Sequence, residues 1–381
     1  MGLRQDETDM LVVGAGPAGL AAALAAVQKG FRVTVADGAE PPIDKACGEG
    51  LMPDGAEAIR RLGVRLEPAG GFPLRGIRFL EREIHAEANF PYGRGLGLRR
   101  IALHHLLLER AAEAGVTFLW RTPATGLHPE GAWLGRRPFR ARWVVGADGS
   151  SSLVRRWAGL DQGRVHSVRL AFRRHFRILP WTDCVEVYWG SGCQIYVTPV
   201  SADEVCVVLI SRSEKLRLDE ALRSFPRLES RLRGAEATTA ERGAVSACFQ
   251  VRRVYRGRVA LVGDASGGVD AVSGEGLNGS FQQAPALATA LAAQDLSLYQ
   301  RAHRRALRRP LLMTRLLLSL DTFPALRRRV LRALSANPDI FARLVAAHVG
   351  SLSTPEFIGQ GMLPLAFQML GLPARQWLTP E

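Results

Sequence analysis

The sequence predicts an α/β fold: a parallel-sheet lobe, a mainly antiparallel β lobe inserted into it, and a helical region towards the C-terminal end. Three observations carry this. An apolar run, Leu11-Val12-Val13, breaks into Gly14-Ala15-Gly16-Pro17-Ala18-Gly19 and continues as an alanine-rich helical stretch. Between about Val165 and Ser211 the pattern changes to short alternating runs rich in β-branched and aromatic residues. From Leu298 onward, leucine and arginine recur at helical spacing.

The first of these reads as the strand, tight turn and helix of a Rossmann-like dinucleotide-binding unit. Gly14 permits the turn, Gly16 lets the backbone approach a pyrophosphate, and Gly19 lets helix and sheet pack closely. The helix from Pro17, through Ala18, to about Lys29 points free amides and partial positive charge at the phosphates. A second β-rich run, Arg32 to Ala36, ends at Asp37, where a carboxylate can accept hydrogen bonds from an adenosine ribose.

Composition narrows the class. A chain of 381 residues buries a substantial core and suits two lobes. The formal charge is +14 and only Lys29, Lys45 and Lys215 are lysines, so the excess is arginine; it is scattered without a nucleic-acid-binding motif, and no nucleic-acid partner is expected. Cys47, Cys184, Cys193, Cys206 and Cys248 form no CxxC pair and are odd in number, which argues against a disulfide framework. The first ten residues carry no apolar signal core and no run of about 20 apolar residues follows, so a cytoplasmic location is expected. No metal-ligand spacing stands out.

Along the chain, Lys45-Ala46-Cys47-Gly48-Glu49-Gly50 leads into a helix around Asp54 to Leu62, and Arg100 opens another that ends near Gly115. His104 and His105 lie inside that helix, whose leucines set its register. Gly146-Ala147-Asp148-Gly149-Ser150 follows a strand. The chain returns to the first lobe with Arg258 to Ala265, through Gly263-Asp264, then Gly274-Glu275-Gly276-Leu277-Asn278 and a small-residue helix to about Ala293. Pro310, Pro324 and Pro338 are read as breaks in the last region. The expected division is 1–70, 96–160 and 248–297 for the dinucleotide lobe, 71–95 and 161–247 for a substrate lobe, and 298–381 for the helical region.

Taken in order, GAGPAG with Asp37, then GADGSS, then LVGDAS with GEGLN, the chain resembles the FAD-dependent oxidoreductases of the p-hydroxybenzoate-hydroxylase fold, which include aromatic hydroxylases, flavin halogenases and geranylgeranyl reductases. The resemblance implies bound FAD, with Gly14, Gly16 and Gly19 at the pyrophosphate and Asp37 at the ribose. It further implies cofactor contacts from Arg100, Asp148, Gly149, Gly263 and Asp264, and a flavin ring facing Gly274 to Asn278. NAD(P)H is the transient reductant it implies. A hydroxylase working through a flavin hydroperoxide on a hydrophobic small molecule is the leading expectation. Gly267 and Ala271 stand where hydroxylases usually carry histidine and proline, and Lys45-Ala46-Cys47-Gly48 with Gly-Glu-Gly looks more like the geranylgeranyl-reductase branch, so a reductase that saturates a C=C bond is the alternative. A non-catalytic prenyl-binding escort of the same fold is a third.

Cys47 is the candidate catalytic residue: the resemblance places its loop near the flavin ring, where a thiol can donate a proton, although free cysteine also serves as a small buried hydrophobe. Tyr188, Trp189, Gln194 and Tyr196 alternate on the substrate sheet as pocket lining or ordinary packing. The arginine- and leucine-rich C-terminal helices suit either a cover for the substrate lobe or contact with an anionic membrane surface.

Overall fold

A computed structural model describes residues 7–369, so the first six residues and the tail 370–381 of the expected helical region lie outside it. Five parallel strands form the centre of the first sheet, in the order Val259–Leu261, Arg137–Gly146, Glu7–Val13, Val33–Ala36, Thr117–Leu119. Helix Pro17–Val27 is alanine-rich and buried nearly all round, because it lies between the sheet and helices Arg100–Glu113 and Gly276–Ala292. At Gly14 (φ +108°) a Cβ would come within 2.5 Å of the Ala147 carbonyl oxygen, and at Gly19 within 2.0 Å of the Gly14 oxygen. Those two glycines are packing requirements of the turn. Gly16 has open space above it, as a phosphate-facing position demands.

The second sheet runs Gly267–Gly268, Arg242–Val251, Gly163–Arg177, Glu204–Ser211, Cys193–Pro199, Cys184–Trp189, Gly76–Glu81, Ile84–Asn89. Its pairings are antiparallel except for Cys184–Trp189 against Gly76–Glu81, which run parallel. The central strands are buried on both faces. Alternate residues such as Ile195, Val197, Val207 and Leu209 pack under the short helices Leu218–Leu222 and Pro226–Leu232. Tyr196, Val208 and Ile210 face the helices Pro324–Ala336 and Pro338–His348 instead.

Pro324 and Pro338 occupy the first turns of those helices, where a missing N–H costs nothing. Pro310 does not break its helix: Leu296–Thr322 continues through it. An interior proline costs about 3 kcal/mol, and here Pro310 is buried with Met313 and Thr314 against the body, so packing offsets the lost hydrogen bond. The C-terminal helices therefore form a wall over the sheet's second face.

Candidate cofactor groove and apolar cavity

One cavity of about 610 Å³ begins at the glycine turn and continues between the second sheet and the C-terminal helices. At its polar end lie Gly16, Pro17, Ala18, Lys45, Cys47, Arg100, Gly149, Asp264, Gly274, Gly276 and Leu277. The far end is lined by Val187, Tyr196, Val208, Leu317, Val330, Leu334, Phe341 and Val345, among other apolar side chains. Residues up to about 350 positions apart thus share one space.

The polar end fits a dinucleotide. The space above Gly16 is open, and likewise above Gly149 and Gly276, so backbone is exposed where a Cβ would intrude. Arg100 Nε is buried with no hydrogen-bond partner, an orphaned donor on the cavity wall. Lys45 Nζ lies 3.0 Å from Asp264 Oδ2. The first turn of helix Gly276–Ala292 opens onto the same space through Gly276 and Leu277, so its free amides can face an anionic or electron-rich ring.

Other expected site residues stand outside the lining. Asp37 ends the second strand and accepts from the Ala15 amide at 2.7 Å and the Ala39 amide at 2.8 Å, which orients it beside the glycine turn. Asp148 spends its carboxylate on local structure, accepting from Ser152 Oγ at 2.5 Å and from the Leu153 and Val154 amides at 2.7 and 3.1 Å. It shapes the turn at Gly149 and holds the first amides of helix Leu153–Trp157. Gly263 (φ +61°) leaves only 2.5 Å to the Ala18 Cβ for a side chain, and its amide donates to Gln283. Glu275 and Asn278 are buried and turned away from the groove: Asn278 Nδ2 donates to Glu275 Oε2 at 2.9 Å and to Asp54 Oδ2 at 2.7 Å.

Cys47 lines the cavity and its sulfur accepts from the Glu49 amide at 3.4 Å; burial pushes the thiol up, so it is protonated at neutral pH. The other four cysteines are buried and free. His104 is buried and bonded through Nε2 to the Ala15 carbonyl at 2.8 Å, a brace for the glycine turn, while His105 is exposed beside Glu109. Of the aromatic stretch, Tyr196 lines the cavity and donates to the Val272 carbonyl; Tyr188 bonds Glu186 under the sheet, and Gln194 joins a buried network with Arg169 and Asp321.

Two features were not singled out from sequence. Glu49 (φ +58°) is a buried hub: Oε1 accepts from the Arg100 amide at 3.0 Å and Arg173 Nη1 at 2.9 Å, and Oε2 pairs with His175 Nε2 at 2.6 Å. Burial alone would raise this carboxyl, but His175, the Arg100 amide and Arg173 outweigh it and hold it below the usual carboxylate range. Glu49, His175 and Cys206 present ligand atoms within 4.8 Å of one another. The guanidinium already on Glu49 opposes a cation there. The only signal in the sequence was an acid between Gly48 and Gly50. The second feature is His348, a cavity-lining imidazole at the end of helix Pro338–His348, for which a lone histidine in a helical run gave no signal.

Residues 7–297 match a protein family described as FAD binding domain. Among curated relatives, menaquinone reductase of Mycobacterium tuberculosis is 28% identical over 322 residues, covering 77% of this chain and 78% of that protein. Digeranylgeranylglycerophospholipid reductase 1 of Methanopyrus kandleri is 30% identical over 306 residues (71% and 77%), and 6-methylpretetramide 4-monooxygenase of Streptomyces rimosus 30% over 328 residues (76% and 77%). A flavoprotein/dehydrogenase crystal structure from Cytophaga hutchinsonii shares the fold with TM-score 0.82 at 18% identity, covering 96% of this chain and 99% of that one. A glycine turn with open space for a pyrophosphate, an orphaned arginine and a family match across three quarters of the sequence place this chain in the FAD-binding domain family, as an FAD-dependent oxidoreductase with the p-hydroxybenzoate-hydroxylase fold.

Proposed function

We propose that this chain is a reductase that adds hydrogen across a double bond of a polyprenyl lipid, a quinone bearing such a chain included. The observation that carries this reading is the cavity itself: a mainly apolar tunnel walled by Leu317, Val330, Leu334, Phe341 and Val345 that joins the cofactor groove, with His348 and Ser319 the polar side chains those helices bring to it. The two reductase relatives named above fit it. When bound, FAD supplies hydride. The protein's own residues do the rest: Gly16 and the helix beginning at Pro17 receive the pyrophosphate, Asp37 the ribose, and Arg100 and the amides at Gly276 and Leu277 the flavin side of the groove. Lys45 and Asp264 set the charge at the boundary, and the tunnel excludes water from the reacting carbons. NAD(P)H, docking transiently between the lobes, is the proposed electron donor.

Oxygenation is the second reading, favoured by the Streptomyces rimosus relative at 30% identity. Photoreduced holoenzyme mixed anaerobically with menaquinone, or with digeranylgeranylglycerophospholipid in detergent micelles, separates them. Rapid return of oxidised flavin with a saturated product supports the reductase; no return without oxygen, and a hydroxylated product with it, overturns it.

No helix of the described residues is long and apolar enough to cross a membrane. A greasy substrate still has to reach the tunnel, and we propose that it does so from a membrane surface. Leu326 lines the cavity yet is 36% exposed, and Phe323 beside it is 58% exposed, on a helix that also presents Arg329 and Arg332. Co-sedimentation with vesicles containing anionic lipid, lost in Phe323→Asp, is the expected outcome; equal binding by both proteins counts against this route.

A further inference from the structure

Adding hydrogen across a C=C bond needs a proton as well as a hydride, and the cavity wall limits where that proton can come from. Lys45 and Asp264 are paired with each other, a guanidinium such as that of Arg100 is not a general acid, and the Tyr196 hydroxyl is committed to the Val272 carbonyl. Glu49 contributes backbone only, since its carboxylate has no exposed surface. Cys47 and His348 remain. The Cys47 sulfur has the Glu49 amide as its donor, a group that cannot restore a spent proton.

His348 stands differently. It ends the helix that carries Phe341, Leu344 and Val345 into the tunnel, and it packs against Ser273 and Glu275, next to the Gly274 and Gly276 of the cofactor groove. Its Nδ1 is 3.7 Å from Glu275 Oε1, an oxygen that is buried and has no hydrogen-bond partner. Behind Glu275, the Asn278 amide bridges to Asp54, whose Oδ1 is likewise unpartnered and whose side chain is 12% exposed against 1% for Glu275. Arg309 is the guanidinium that serves both acids, at 3.4 Å from Asp54 and 4.0 Å from Glu275. One positive charge faces two buried carboxylates, which opposes the ionisation of both together. Burial pushes both acids up and lowers the imidazole to about 4, which leaves a neutral histidine beside an acid whose ionisation burial opposes.

We propose that His348 delivers the substrate's proton, with the Glu275 carboxyl beside it as the supply. This rests on the reductase reading above. In the step, the π bond breaks as one carbon receives the hydride that bound, reduced FAD would supply, and the electron pair left on the other carbon takes the proton from the His348 ring. Glu275 gives a proton to the ring nitrogen facing it as the first one leaves, and solvent restores the proton of Glu275 once product has departed. Glu275 is the supply residue; His348 is the group that touches substrate.

The test uses FAD-loaded enzyme, photoreduced and mixed anaerobically with digeranylgeranylglycerophospholipid in detergent micelles, in H2O and D2O. Removing a general acid costs about 10²- to 10⁴-fold, so His348→Gln is expected to slow acceptor-driven flavin oxidation at least about 100-fold. Glu275→Gln, which keeps the Asn278 contact, slows it less. FAD affinity, read by quenching of flavin fluorescence, and oxidation by O2 are expected to stay within about threefold for both. Nitrogen-15 NMR of labelled histidine should find His348 neutral at pH 6, with a chemical shift that moves in Glu275→Gln. Active wild type with His348→Gln and Glu275→Gln reacting at the same rate, or an imidazolium at pH 6.5, overturns the relay alone. A wild type that no polyprenyl acceptor reoxidises overturns the reductase reading, and the relay with it.

Discussion

Glu49 and Glu275 are equally buried, at 2% exposure each, and each is flanked by glycines that line the same cavity. Their carboxyls are shifted in opposite directions. Glu49 has three donors within 3.0 Å, two of them on cationic or cation-forming side chains, and is held ionised. Glu275 has one amide and an orphaned oxygen, and burial pushes its carboxyl up. Burial penalises both anions alike, so the number and kind of donors decide which stays charged. The ionised one braces the fold by tying the Cys47 loop to the helix of Arg100 and to the strand Gly163–Arg177. The one that burial pushes up sits beside His348, where a mobile proton is of use.

Breaking the charged member gives the largest effect. Arg173→Met removes the guanidinium from both Glu49 and Asp44, and stripping one partner from a buried ion pair costs about 3–5 kcal/mol. Urea unfolding should show that loss at pH 7. Glu275→Gln should instead leave stability at pH 4 unchanged and raise it at pH 8. The sign follows from linkage: a raised folded pKa means stability is full below the unfolded value of 4.5 and falls as pH rises through the folded one, so removing the acid removes that penalty. An unchanged pH 8 midpoint would show that Glu275 is ionised, as Glu49 is.

Acid should sharpen the same contrast. His303 and His348 are both lowered to about 4 by burial, so each favours the fold fully above its unfolded value of 6.5 and loses that contribution as pH falls towards 4. The loss is on the order of 3 kcal/mol per histidine, and His348→Gln should remove one share of it in urea melts at pH 5. Glu49 adds to the acid sensitivity lower down, since a depressed carboxyl loses its contribution as pH drops through the folded value.

Substitutions on the wall itself act more modestly. Leu317→Trp fills the apolar far end of the cavity and should lower kcat/KM for a long polyprenyl acceptor about tenfold, about 1.4 kcal/mol, with FAD binding intact. Equal efficiency on long and short acceptors would place the chain elsewhere. Cys47→Ala should keep FAD and slow turnover only about threefold, or about 0.65 kcal/mol, because His348 carries the proton; stopped-flow flavin oxidation measures it.

The sequence by itself determined the nucleotide lobe. Glycines whose Cβ atoms have no room, a strand before them and an acid at Asp37 are local requirements of a tight βα turn, and local requirements are written in consecutive residues. The antiparallel lobe was legible for the same reason, since its alternation of side chains follows the two-residue period of a strand. Pro310 was misleading because its cost is local while the packing that offsets it is not. Only the tertiary structure decided the opposite shifts of Glu49 and Glu275, the use of Asp148 to hold the first amides of helix Leu153–Trp157, and the place of His348. Each depends on donors brought from distant positions: His175 to Glu49 across 126 residues, Arg309 to Asp54 across 255. A charge state is a property of the assembled neighbours, and no window of sequence contains them.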